Sequence, residues 1–118
     1  MRQIVSSGSV RAIYLNREEV INRLKEVSDE ALKTFPVIKE IRLFGSIAKG
    51  EESGLSDVDI FVLLSESKER NPFERLKPYF SFFSDKIEIA VDMIVATVDE
   101  KENFMEILKG SILLCKSR

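Results

Sequence analysis

The chain has 118 residues, 44% of them hydrophobic and 32% charged, with a formal net charge of −2 and no histidine. That balance describes an ordinary folded protein and gives no extended basic surface of the kind that lives on nucleic-acid backbone. It also excludes histidine-based zinc sites and histidine general-base catalysis. No apolar run approaches the roughly 20 residues of a membrane span, and the N-terminus carries no signal-peptide pattern. The single cysteine, Cys115, allows no intramolecular disulfide and fits a reducing, cytoplasmic setting. Residues 1–118 are expected to form one domain around one core.

Residues 2–15 alternate weakly around Ser6-Ser7-Gly8-Ser9 and read as a small hairpin or an extended arm. Asn16 can cap a helix, with Glu19 three positions on, in a capping-box pattern. Val20, Ile21, Leu24, Val27, Ala31 and Leu32 recur at helical spacing, so residues 17–34 are an amphipathic helix that Pro36 ends. Lys39 to Phe44 form a first strand, and Val58 to Leu64, β-branched and aromatic, form a second. Asn71-Pro72 reads as a cap followed by a first-turn proline. The helix it opens carries Phe73, Leu76, Tyr79, Phe80 and Phe83 as an apolar stripe, with a kink or split expected at Pro78. Lys86 to Ala96 reads as a third strand with Asp92 in its middle. Thr97 with Glu100 suggests another capping box, opening a helix over 98–109 that stops at Gly110. Ser111 to Cys115 closes the chain as a short strand. Alternating helices and strands of this kind predict an α/β (α+β) fold, a mixed sheet backed by helices.

Chemistry concentrates between residues 43 and 64, LFGSIAKGEESGLSDVDIFVLL. Asp57 and Asp59 stand two apart at the mouth of the second strand, so both carboxylates project from one face while Val58 and Ile60 point to the other. Like charges side by side at an apolar edge call for a cation between them. Mg²⁺ suits, because it takes oxygen ligands and typically uses one or two carboxylates together with substrate phosphates. Upstream, Gly45-Ser46 follows the first strand and leads into the helix-compatible Ile47-Ala48-Lys49. Glycine permits a phosphate to approach the backbone, and the N–H groups opening a helix favour anions. One βαβ-like unit thus offers a phosphate cradle beside a metal mouth, a site for a nucleoside triphosphate.

Gly45-Ser46, ten intervening residues, then Asp57-Val58-Asp59, with a strand before and a hydrophobic strand after, resembles the signature of the polymerase-β-like nucleotidyltransferases. The whole chain is similar to their smallest members, the minimal nucleotidyltransferases that accompany HEPN-domain proteins. The resemblance implies the nucleotidyltransferase palm with Asp57, Asp59 and Asp92 on neighbouring strands as the catalytic and metal-binding carboxylates, holding two Mg²⁺ ions. It implies ATP as substrate, with Gly45, Ser46 and Lys49 on its phosphates. The family's frequent arginine directly after Gly-Ser is here Ile47. Larger relatives add a helical domain for which there is no room, so another subunit or a partner would complete the acceptor site. In the minimal family that partner is a HEPN-type toxin, which the nucleotidyltransferase neutralises by transferring AMP to a tyrosine. The alternative of a different class is a non-catalytic antitoxin that neutralises its partner by contact.

Each residue also has a plainer reading. Asp92, flanked by Val91, Met93, Ile94 and Val95, is costly in a buried strand unless metal-bound or paired, for instance with Arg42. Glu88, four residues earlier on the same expected strand face, is a weaker candidate for the third carboxylate. Lys49 is nearly as well explained as a solvated lysine. The phenylalanines from 73 to 83 read as core rather than as a base-stacking platform, Cys115 as buried filler, and Glu51-Glu52 as a solvated loop.

Overall fold

The computed structural model describes residues 17–50 and 57–118. The N-terminal arm, Asn16 and the Glu51-Glu52 loop lie outside the described residues. In order, the elements are α1 (Arg17–Thr34), β1 (Ile38–Phe44), α2 (Gly45–Lys49), β2 (Val58–Leu64), α3 (Pro72–Lys86), β3 (Val91–Thr97), a 3₁₀ turn (Lys101–Phe104) and β4 (Ile112–Lys116). The strands form one mixed sheet in the order β3-β2-β1-β4, with β2 and β3 parallel and the other pairs antiparallel. The β1-α2-β2 unit is therefore not a parallel crossover: its strands run antiparallel, and α2 merely turns the corner.

Strand β2 lies inside the sheet between β3 and β1, which is why its sequence is a continuous apolar run rather than an alternation. Val58, Ile60, Val62 and Leu64 face the main core with Leu24, Val27 and Ala31 of α1 and Phe83 of α3. Phe61 and Leu63 face the other side, where a smaller cluster with Ala96 and Leu108 packs under Phe104. Asp59 alone among β2 residues is not buried. Charge at that position needs an opening, and the second face supplies it.

Asn71 caps α3 as its sequence suggests, its Oδ1 accepting from the N–H groups of Phe73 at 2.9 Å and Glu74 at 3.2 Å. Pro78 does not split the helix, which runs on to Lys86. The stripe reading is also corrected in part: Phe83 is buried, but Phe73 is 75% exposed. Helix α3 extends into what reads as strand, and Ile87 closes it by donating to the Phe83 carbonyl at 3.1 Å. The alternation of KIEIAV misleads because Ile87 buries from the helix end and Val91 from the strand. Glu88 consequently sits in the intervening bend, off the strand face that carries Asp92.

The helix expected over 98–109 shrinks to the 3₁₀ turn followed by irregular turns up to Gly110, whose φ is +77°. Glu100 does reach back to the Thr97 N–H at 3.0 Å, half of a capping box, but it also pairs with Arg75 of α3 at 2.8 Å. Beyond it only Leu108 is buried, while Met105 and Ile107 are exposed, so no continuous stripe holds a longer helix.

Candidate active site

The site face is the second face of the sheet, at the end where β1 leaves and β2 enters. Across three strands the register aligns Phe44, Asp59 and Asp92 in one row. Asp59 and Asp92 are in-register partners of a parallel pair, so their side chains leave the same face of strands about 4.8 Å apart. Asp57 directly precedes β2 and is exposed. Burial pushes the Asp59 carboxyl above its ordinary range, and the negative charges of Asp92 and Asp57 push it further. Three carboxylates from two strands thus share one electrostatic environment.

Asp92 is exposed, which corrects the picture of a carboxylate in a buried strand centre. Its strand starts at Val91 and lies at the edge of the sheet among the described residues, so Asp92 is at the strand's opening end. The plainer reading of an ion pair with Arg42 is not realised: Arg42 pairs with Glu40 at 2.8 Å. Among the described residues Asp92 has no ion-pair partner. Glu40 is also met by Lys101 at 3.1 Å. Burial would raise its carboxyl, but the two cations outweigh it and hold the group below its ordinary range.

Gly45 brings the two halves of the motif into contact. Its φ is +79°, and a Cβ built on it would lie 2.9 Å from Cγ and 3.2 Å from Cβ of Asp59. Any side chain there collides with the carboxylate, so close approach and a left-handed backbone both demand glycine. Ser46 is half-buried in α2, whose N-cap residue Phe44 makes no side-chain bond to the opening N–H groups. Lys49 stands at the far end of α2 from Gly45 and Ser46. It is the last residue of the five-residue α2, exposed, with its Cγ 3.7 Å from where a Cβ on Gly110 would stand.

A residue that sequence reasoning missed holds this corner. Arg17 at the start of α1 donates from Nε to the Ile47 carbonyl at 2.7 Å and from Nη2 to the Ala48 carbonyl at 2.8 Å. A five-residue helix is too short to stand alone, and a guanidinium fork satisfies carbonyls that its end leaves free. No local pattern announces a contact 30 residues away.

The residues fit a hard divalent cation. The donors are carboxylate oxygens, their mutual repulsion at Asp59 asks for positive charge, and the bare Gly45 backbone lets the Asp59 carboxylate stand at the corner. Among the described residues no group of three His, Cys, Asp or Glu side chains is placed to hold a metal ion by itself. An open row suits an ion that takes part of its shell from substrate oxygens.

A glycine-serine corner pressed against an Asp-x-Asp strand, with a third aspartate in register next door, defines a nucleotidyltransferase palm. The polymerase-β nucleotidyltransferase family model matches residues 12–118, and the chain belongs to that family. Two curated relatives in Methanocaldococcus jannaschii, both provisionally named protein adenylyltransferases, are similar. One is 31% identical over 78 residues, covering 66% of this chain and 72% of the relative. The other is 32% identical over 81 residues, covering 66% and 91%. A crystal structure of a provisionally named nucleotidyltransferase from Sulfolobus solfataricus superposes with a TM-score of 0.65 at 31% identity, covering 85% of this chain and 83% of that one. A chain of a toxin–antitoxin structure with AMP-PNP shares the fold, with a TM-score of 0.53 at 19% identity over 80% of this chain and 74% of that one. No helix among the described residues is long and apolar enough to cross a membrane.

Proposed function

We propose that the protein transfers AMP from ATP to a hydroxyl of a partner protein, with Mg²⁺ held by Asp57, Asp59 and Asp92. The observation that carries this reading is the in-register Asp59–Asp92 pair beside Gly45. A module that only binds has no evident use for three carboxylates around one opening, since their repulsion destabilises it unless a cation arrives. The bound metal supplies charge neutralisation at the phosphates and acidifies the acceptor hydroxyl. The Gly45–Ser46 backbone and the Ser46 hydroxyl bind the β- and γ-phosphates. Asp57 and Asp59 orient the α-phosphate from β2. The acceptor oxygen bonds to the α-phosphorus as the bond from that phosphorus to the β-bridging oxygen breaks, and pyrophosphate leaves with the electron pair. The acceptor proton passes to an Asp92 carboxylate oxygen, since the chain contains no histidine. Protein chemistry here is positioning and charge, not a covalent intermediate.

The acceptor we assign by resemblance is a tyrosine of a HEPN-type toxin, and the protein is then its antitoxin. The relatives named for protein adenylylation and the shared fold with a toxin–antitoxin chain support this. The experiment incubates protein, Mg²⁺ and a HEPN-type protein with ATP labelled on either the α- or the γ-phosphate. Adenylyl transfer moves only the α-label to the partner. Protection of the partner's target without any label transfer would favour neutralisation by contact instead.

A further inference from the structure

A cleft of about 420 Å³ wraps the free edge of β3, between the start of α3 and the 3₁₀ turn. Met93, Ile94, Phe104 and Leu76 give it an apolar lining, and Arg70 and Asn103 stand among its polar groups. We propose that this cleft is the entry and binding site of the acceptor. The inference rests on the nucleotidyl-transfer reading above and adds to it a place and a set of residues.

Displacement at phosphorus is in line: the attacking oxygen arrives opposite the leaving pyrophosphate. Gly45 and Ser46, where pyrophosphate is held, lie at the end of β1. The carboxylates that orient the α-phosphate are on or just before β2, and β3 follows on the far side. The acceptor must therefore come in from the β3 flank. That flank is a sheet edge, with no fifth strand beyond it among the described residues, and the cleft opens on it. Met93 adjoins Asp92 in the chain, and Ile94 shares its face roughly 7 Å further along the strand. A group seated over Ile94, with Met93 lining the cleft from the other face of the strand, needs a rigid body of about that length to bring its hydroxyl to Asp92.

The lining selects the body. An apolar floor with an aromatic edge and a thioether takes a flat ring, and sulfur-to-ring and arginine-to-ring contacts are both favourable there. A phenol meets these terms, whereas a serine hydroxyl is too short to reach Asp92 from over Ile94. Arg70 and Arg75 both line the cleft against the single carboxylate of Glu100, which Arg75 already neutralises.

The test uses the full chain with its methionine methyls carbon-13 labelled, since Met93 lines the cleft and Met105 does not. N-acetyl-tyrosinamide, N-acetyl-serinamide and AMP-PNP with Mg²⁺ are titrated separately. The expected result is a saturable shift of the Met93 methyl with N-acetyl-tyrosinamide, at least fivefold weaker with N-acetyl-serinamide, and no comparable shift of Met105. Asn103→Trp, at an exposed position, should fill the cleft and weaken the phenol at least fivefold while the other methyl signals stay native. No Met93 response, a response that survives Asn103→Trp, or AMP-PNP competing with the phenol for the same shift would overturn the assignment. Should AMP-PNP bind normally while the phenol leaves Met93 unmoved, the cleft assignment fails and the nucleotidyl-transfer reading stands. Should AMP-PNP not bind at all, it is that reading which fails.

Discussion

Gly45→Ala probes the contact on which the site is built. The new methyl group faces two costs. A non-glycine residue held at φ +79° costs about 1–2 kcal/mol. Forcing a Cβ to within 2.9 Å of the Asp59 Cγ adds an overpacking cost of about 1–3 kcal/mol. Together they destabilise by about 2–5 kcal/mol, a large share of the roughly 5–15 kcal/mol that holds a domain folded. Replacing Asp59 by Ala removes the colliding carboxylate but leaves φ unchanged. In that background Gly45→Ala should cost only about 1–2 kcal/mol, leaving a coupling of about 1–3 kcal/mol. Urea unfolding of the two single variants and the double variant measures it. Equal costs in both backgrounds, within about 0.5 kcal/mol, would show that the glycine and the aspartate are not in contact.

Other outcomes follow from the same geometry. Asp59→Asn should raise the melting temperature of the metal-free protein at pH 7. The folded state holds the Asp59 carboxyl above its ordinary value of 3.8, so its ionisation favours unfolding; the advantage of Asn should shrink as pH falls through that raised value and be gone below about 3.8. Arg17→Ala should lose about 1 kcal/mol and speed amide exchange in α2 selectively, with Arg17→Lys recovering only part, because a single ammonium cannot fork onto two carbonyls. Cys115 is buried, its thiol pushed up to about 12 mainly by burial. It should therefore react with a disulfide reagent only at the rate of unfolding.

What could be read from the sequence divides along physical lines. Strand β2 was legible to the residue because a fully buried strand leaves an unbroken apolar run ending at a charge. Gly45-Ser46 and Asp57-x-Asp59 were legible as a pair, though not the reason for their pairing, which is the contact between the Gly45 backbone and the Asp59 side chain. Asp92 was singled out for a reason that the structure corrects: it is exposed at the start of a strand at the sheet edge among the described residues, not entombed in the middle of a central one. Its register opposite Asp59 depends on where β3 starts, and the KIEIAV alternation concealed that α3 and a bend occupy residues up to 90. The 3₁₀ turn was misread because Glu100 divides itself between Thr97 and Arg75, a tertiary contact that no local pattern encodes. Arg17 was invisible for the same reason.

The central claim is that the aspartates and the glycine corner form one metal-dependent nucleotide site. Calorimetric titration of AMP-PNP into the protein, with and without Mg²⁺, tests it most directly when repeated on Asp57→Asn/Asp59→Asn. The account predicts binding that requires Mg²⁺ and falls at least tenfold in the double variant, which should keep native circular dichroism because removing mutual repulsion does not harm the fold. Equal affinity in wild type and variant, or binding indifferent to Mg²⁺, would contradict it.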